Sequence, residues 1–451
     1  MSDKKYEMDM CSGALFPKII AFALPLAVSG ILQLLFNAAD IVVVGRFVGK
    51  EALAAVGSTT AFINFIINLF MGLSVGAGVV VANCYGAGEK EALKESVHTA
   101  VMLSFVGGIS LTVLGLLVSR PILSAMGNPP DVLDLSVLYI RIYFLSIPGL
   151  LFYNFGSAIL RAAGDTKRPM YFLFAAGVLN VFLNIFFVVV MGLGVDGVAY
   201  ATGISQYLSG FLVLYTLVRS DSDYKLILKE IKMYKYPTIK ILKIGIPAGF
   251  QGMVFSLSNM LIQSSVNSFG STAMAGNAAA QNVEGFVYVS MTAVYQTAMN
   301  FVSQNFGAHK FDRIKKIHFE TLVLVFITGI VGGWAVYILC DKILLLYTAN
   351  DKVISVAKLR LSVILTTYAL CGAMDVMSGI LRGLGHSSLP MVVSFLGACA
   401  FRVVWVLTVF TFVKRTLMAL YISYPLSWAI TFIIHTICYY FIIDYYKDKK
   451  F

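Results

Sequence analysis

Charge is what this sequence has least of. Asp, Glu, Lys and Arg make up 13% of its 451 residues, about half of what a soluble chain uses to cover its surface. A chain so poor in charge presents most of its surface to something other than water. Cysteine is sparse as well. The six (Cys11, Cys84, Cys340, Cys371, Cys399 and Cys438) are scattered with no CxxC spacing, which leaves them as small apolar packers and excludes a disulfide framework or a metal site. The five histidines (His98, His309, His318, His386 and His435) show no ligand spacing. HExxH and DDxxD are missing, so the metal motif and the paired acids of membrane enzymes are not there. Gly45 to Lys50 reads GRFVGK, one residue short of a P-loop and without the following Ser or Thr, which argues against an ATP-driven pump. A polytopic membrane enzyme is thus the disfavoured alternative, and no cofactor is called for.

Apolar sequence takes the place of charge. Hydrophobic residues are 59% of the chain, and runs of about 20 residues recur throughout, each long enough to cross a bilayer core. Twelve spans are predicted, at 15–45, 52–85, 96–119, 133–160, 169–191, 196–218, 240–268, 272–305, 317–339, 355–381, 390–412 and 417–443. Lys4 and Lys5 precede the first run, which outlasts a signal peptide and is read as a retained span. The net charge of +11 would suit nucleic acid, but the bases lie in short segments between apolar runs. Residues 86–95, 161–168, 219–239, 307–316 and 382–388, with the tails and flanking bases, hold about two-thirds of the Lys and Arg, which places both termini in the cytoplasm of a multi-pass plasma (inner) membrane protein. Arg141 and Arg402 fall inside spans.

The chain repeats itself at an offset of about 221 residues, a spacing of the size that signals an internal duplication. Lys18-Ile19-Ile20 with Pro25 and Gly30 matches Lys240-Ile241-Leu242 with Pro247 and Gly252. Tyr85-Gly86-Ala87 matches Phe306-Gly307-Ala308. Ile159-Leu160-Arg161 through Gly164 to Pro169-Met170 matches Ile380-Leu381-Arg382 through Gly385 to Pro390-Met391. The predicted fold is all-α: two six-helix halves, 1–218 and 244–451, joined by a cytoplasmic linker, 219–243. An even number of spans gives both halves one orientation, related by an axis along the membrane normal, and a substrate site is expected between them near the midplane. The linker is basic after Asp221 and Asp223, and Tyr224, Leu226, Ile227, Leu228 and Ile231 are expected to rest in the membrane interface. Residues 161–169, RAAGDTKRP, read as turn chemistry: a base at a helix end, a glycine to stop it and a proline to start the next helix.

Together these features resemble the multidrug and toxic compound extrusion (MATE) family, prokaryotic type. The resemblance covers nearly the whole chain. It rests on the twelve spans, the LRAAGDTKRP block with its echo LRGLGHSSLP, Pro25 followed by Asn37, Asp40 and Gly45, and Leu179-Asn180. It implies an antiporter that exchanges sodium or protons for organic, often cationic, compounds.

The intramembrane polar residues speak to that chemistry on their own. An ionised carboxylate at a span centre costs about 2.5–3.5 kcal/mol on insertion scales, so it marks a cavity or a partner. Gln33, Asn37 and Asp40 share one face of the first span by their spacing. Asn180 and Asn184 share a face of the fifth, and Thr202 opens the sixth. The resemblance brings Asn180, Asn184 and Thr202 near Asp40. One carboxylate with amide and hydroxyl oxygens suits a sodium ion, and the carboxylate alone suits a proton. Many prokaryotic members carry Asp where this chain has Asn184, so Asp40 is expected to couple alone in this half.

The second half is not a copy, for Ile262 stands where Asp40 does. It keeps a polar face through Ser256, Asn259, Gln263 and Asn267, and acids at Glu284 and Asp375. Arg402 needs a buried partner and is expected to pair with Asp375 or Glu284, freeing the other acid for a cationic substrate. Glu284, Tyr288, Met291, Tyr295 and Met299 lie near one face; rings attract organic cations and Met adapts to varied ligands, although such stripes also pack helices. A lipid-linked oligosaccharide flippase of the same superfamily is the near alternative, but it calls for more bases in its cavity than Arg402. The expected partners are small organic cations and the bilayer, without nucleic acid, and a monomer suffices.

Overall fold

A computed structural model describes residues 5–125 and 130–448, and they are overwhelmingly helical. Twelve long helices follow one another among the described residues: α1 Leu15–Val48, α2 Lys50–Ala87, α3 Lys90–Ala125, α4 Pro130–Ala162, α5 Lys167–Val190, α6 Val195–Arg219, α7 Lys235–Asn267, α8 Ser271–Gly307, α9 Phe311–Leu345, α10 Asp351–Gly383, α11 Ser388–Val413 and α12 Leu417–Asp448. Each lies where a span was predicted, and most run a few residues past it, because the apolar stretch measures the bilayer and the helix projects beyond. Eleven are long and apolar enough to cross a membrane. The exception, α8, carries Asn277, Glu284, Asn300 and Gln304, all buried, as polar groups within the membrane must be, and Gln281 and Asn282, which are exposed. Leu117, Ile338 and Phe441 are among many large apolar side chains left exposed, as expected of a surface covered by lipid. Lys4 lies outside the described residues.

The chain forms two compact units. The first comprises residues 1–9 and 28–249, the second 10–27 and 250–451. In the first, α4 packs on α2, α3 and α6; in the second, α10 packs on α8, α9 and α12. The same position in each half thus serves as the hub. Both α1 and α7 change unit along their length, shortly after Pro25 and Pro247, where a missing N–H interrupts the helical ladder. The start of α7 stays in the first unit because it meets α2 almost backbone to backbone: a Cβ on Gly72 would lie 2.1 Å from the Gly249 nitrogen.

The repeat is written in the backbone. Positive φ angles fall at Gly49 and Gly270, at Gly88 and His309, and at Gly164 and Gly385, the members of each pair standing one repeat apart. After α4, the Asp165 N–H reaches Leu160 O at 2.9 Å; after α10, the His386 N–H reaches Leu381 O at 3.0 Å. These are the same helix stop, with a left-handed glycine closing each.

Beyond that stop the halves diverge. Asp165, fully buried, accepts from the Lys167 and Arg168 N–H groups at 3.0 Å and pairs with the Arg168 guanidinium. Burial pushes its carboxyl above the ordinary range, against the lowering by Arg168. Arg168 also lies over the Tyr6 ring and donates to the Tyr224 hydroxyl at 3.0 Å. Tyr224, Ser222 and Tyr85 all donate to Glu7, so the N-terminal segment is bound into the first unit. In the second unit, Arg313 donates to the carbonyls of Met10, Ser12 and Gly13. Tyr224 and Leu226 are therefore buried in protein, and only Ile227 and Leu228 of the expected interfacial set are exposed, with Ile231 half-buried.

Candidate functional site

In the first unit the structure brings four of the six selected polar residues together. Gly177 of α5 has no side chain, and the Phe36 ring of α1 fills the space: a Cβ there would lie 1.8 Å from the ring. That approach carries Asp40, one turn beyond Phe36, to Asn184, two turns beyond Gly177. The Asn184 amide donates to Asp40 Oδ1 at 2.5 Å and to Asn180 Oδ1 at 3.3 Å. The Asn180 amide donates to Thr202 Oγ1 of α6 at 3.5 Å, and the Thr202 hydroxyl donates to Val198 O at 3.0 Å. Gln33 and Asn37 stand exposed on α1, outside this cluster. Tyr139 of α4, which sequence reasoning missed, lies within electrostatic reach of Asp40.

Asp40 has neutral neighbours. Asn184 is fully buried, and its Oδ1 has no hydrogen-bond partner. A buried carbonyl oxygen without a donor costs about 1–3 kcal/mol, and a small cation held by oxygens would satisfy it. Asp40, Asn180, Asn184 and Thr202 together offer the hard oxygen donors that such an ion prefers. A short stretch of wider, π-type helix follows Asp40 at Val44–Val48, and another follows Asn184 at Ile185–Val190; such turns are frequent at functional sites. Among the described residues no group of three His, Cys, Asp or Glu could hold a metal ion.

The second unit overturns the expected ion pair. Arg402 does not bond to Asp375 or Glu284. Its Nε donates to Ser427 Oγ at 3.0 Å, its Nη1 to Asn259 Oδ1 at 3.3 Å, and its guanidinium lies 4.2 Å from the centre of the Tyr424 ring. A delocalised cation can be held by hydroxyl, amide and π-face without a carboxylate. Glu284 instead pairs with Arg360 of α10, both buried. Arg360 donates to Asn277 Oδ1 at 3.0 Å and faces the rings of Tyr421 and Tyr424. Asn277 continues the network to Gln263 at 2.7 Å, and Gln263 to Asn267 at 2.8 Å. Arg360 was overlooked although the predicted span 355–381 already contains it; a base inside a span was the signal.

Glu284 is taken up by Arg360, and Asp375 is the other acid that the sequence marked in this unit. It is half-buried and lies close to Tyr288. Tyr288 is exposed and stacks on Tyr368, centroids 6.3 Å apart; Tyr368 meets Trp428 at 5.7 Å. Tyr295 is engaged by Arg382, which also donates to Gln251 at 2.5 Å. Met291 and Met299 are core residues, the former filling the space that a Cβ on Gly372 would take.

The comparisons with known proteins agree with this architecture. The family model MatE matches the chain twice, over residues 25–186 and 247–408, so each half carries one copy. The probable multidrug resistance protein YoeA of Bacillus subtilis is 29% identical over 92% of this chain and 91% of its own. The probable multidrug resistance protein NorM of Thermotoga maritima is 25% identical over 84% and 82%. A solved structure described as the outward-facing conformation of a multidrug resistance MATE family transporter of the MOP superfamily superposes with a TM-score of 0.91 at 21% identity, covering 97% of this chain and 98% of the other. Two copies of one family model over most of its length make this chain a member of the MatE family, a multi-pass membrane transporter and not an enzyme.

Proposed function

We propose that this transporter exports small organic, predominantly cationic compounds in exchange for sodium ions or protons. The observation that carries the reading is the Asp40 carboxylate held against Asn184, whose Oδ1 is buried without a donor. A cation entering that cluster neutralises the carboxylate and satisfies the orphan oxygen together. The second unit supplies the complementary feature, a carboxylate at Asp375 beside the exposed ring of Tyr288. Carboxylate and ring together attract an organic cation. Several relatives are named as multidrug resistance proteins, which supports a varied set of cargoes.

The coupling follows from linkage. If the ion at Asp40 favours a state that binds cargo weakly, cargo must weaken ion binding by the same factor. Alternating exposure of the sites to the two sides of the membrane then converts the ion gradient into efflux. The distribution of bases supports a plasma (inner) membrane orientation with both termini cytoplasmic. The test is efflux of a panel of cationic dyes from proteoliposomes under imposed sodium or proton gradients. Asp40→Asn should abolish the dependence on one of the two gradients and leave dye binding intact. Efflux equal to wild type under both gradients would show that Asp40 does not couple.

A further inference from the structure

The chain between α6 and α7 is pinned to α3. The Leu226 N–H reaches Leu217 O at 3.0 Å, the Ile227 N–H reaches His98 Nε2 at 3.0 Å, and the Tyr234 N–H reaches Thr99 Oγ1 at 3.2 Å. Lys94 pairs with Glu230 at 2.6 Å and Lys90 with Asp223 at 3.1 Å. Pinning settles what the strap turns outward. Leu228 and Tyr236 are each 65% exposed, Ile239 54% and Met233 44%. Interleaved with them are Lys229, Lys232, Lys235 and Lys240, all exposed and none in an ion pair among the described residues. The Lys232 ammonium lies 4.6 Å from the Tyr234 ring centre and the Lys240 ammonium 4.3 Å from that of Tyr236.

Two opposite explanations of exposure, solvation and partnership, can be separated here. Four large apolar side chains are not expected at a solvated turn, and unpaired lysines are not expected at a protein core. Both belong at the boundary between lipid headgroups and acyl chains, where apolar side chains insert and ammonium groups reach the phosphates. The position agrees. The first turns of α7 enter a membrane-crossing helix, and Ile239, Lys243 and Ile246 continue down one face of it, Ile246 also exposed, so the patch runs into lipid-facing surface. Tyrosine at this depth is a usual interfacial anchor.

We propose that this strap and the first turns of α7 form a docking surface for anionic phospholipid headgroups of the surrounding leaflet. Lys229, Lys232, Lys235 and Lys240 hold the phosphates, and Leu228, Met233, Tyr236 and Ile239 are inserted between the lipids. The surface selects lipids of negative net charge over zwitterionic ones of the same chain length. The strap joins the two repeats, so lipid charge acts on the segment that connects them.

The test uses the purified full-length protein in detergent, titrated with phosphatidylglycerol or phosphatidylcholine, and counts retained lipid by native mass spectrometry. The wild type should retain phosphatidylglycerol in preference, and added salt should erode that preference as it screens the lysines. Each Lys→Gln change at 232, 235 or 240 should weaken retention of phosphatidylglycerol about fivefold, with phosphatidylcholine unaffected. The triple variant should keep only the weak preference that Lys229 supplies. Met233→Ser with Ile239→Ser should reduce retention of both lipids. The lysines are exposed, and Lys→Arg at the same three positions, which should keep the preference, controls for any loss of folded protein. A Lys→Gln triple variant with wild-type preference overturns the proposal. So does displacement of phosphatidylglycerol by inorganic phosphate at equal concentration, which would identify a pocket for the free anion.

Discussion

A buried guanidinium is held in two different ways in the second unit, and the difference has measurable consequences. Arg360 faces the Glu284 carboxylate, whereas Arg402 rests on Tyr424, Ser427 and Asn259. Removing Arg360 strands a carboxylate away from water, a loss of about 3–5 kcal/mol. Removing Arg402 strands only a hydroxyl and an amide oxygen, each costing about 1–3 kcal/mol at most, and Asn259 can turn to solvent because it is exposed. Arg360→Met should therefore lower the thermal unfolding temperature in detergent more than Arg402→Met. Adding Glu284→Gln should restore part of the loss in Arg360→Met and none in Arg402→Met. Rescue of Arg402→Met by Glu284→Gln would contradict the pairing. The sequence marked both acids and Arg402 as buried charges, because their positions in spans are legible. It did not show who pairs with whom. A long side chain can reach several neighbours, and the choice depends on where α8, α10, α11 and α12 place their facing turns.

At the scale of helices, the geometry of the Asp40 cluster depends on a close approach that no polar residue makes. Phe36 occupies the space left by Gly177, and Asp40 and Asn184 follow from the register thus set. Gly177→Ala should force the ring or the helix to move. Overpacking of this kind costs about 1–3 kcal/mol, and the displacement should weaken ion-driven efflux more than it weakens stability. Phe36→Ala in the same chain should recover efflux toward wild type, though not all of the stability, since the ring also fills volume. Efflux unchanged by Gly177→Ala would mean that the approach of α1 to α5 does not set the cluster. Much at this scale could be read in advance. Spacing put Gln33, Asn37 and Asp40 on one face of α1 and Asn180 with Asn184 on one face of α5, while the approach of Asn180, Asn184 and Thr202 to Asp40 was implied by the family resemblance alone. The contribution of Gly177 was not readable, since a glycine in an apolar span gives no hint of which ring will occupy its place. The strap was misjudged for a related reason. Tyr224 and Leu226 look interfacial by composition, yet Glu7, more than two hundred residues away in sequence, draws the Tyr224 hydroxyl inward.

Over the whole molecule, a duplicated backbone carries two unlike interiors. The helix stops after α4 and α10 superimpose in hydrogen-bond pattern, and the positive φ angles recur in pairs. The side chains that would make a second Asp40 cluster have been replaced: Ile262 stands for Asp40, and at the spacing of the repeat Phe401 and Trp405 stand for Asn180 and Asn184. Ile262 is 1% exposed, so its place in the second unit is closed and apolar. If the ion cluster is a property of the substituted residues, the inherited backbone should not tolerate its acid alone. Ile262→Asp should then lose about 2.5–3.5 kcal/mol, the cost of a charge near a span centre, with Ile262→Asn losing less because it brings no charge. The readouts are the yield of folded protein and its unfolding temperature. An Ile262→Asp protein as stable as wild type, with a second ion bound, would mean that the repeat itself preserves the site. Destabilisation by the acid would instead place the origin of the asymmetry in a handful of side chains. The first unit would be left with the driving ion, and the second, with Asp375 and its rings, free to serve the cargo.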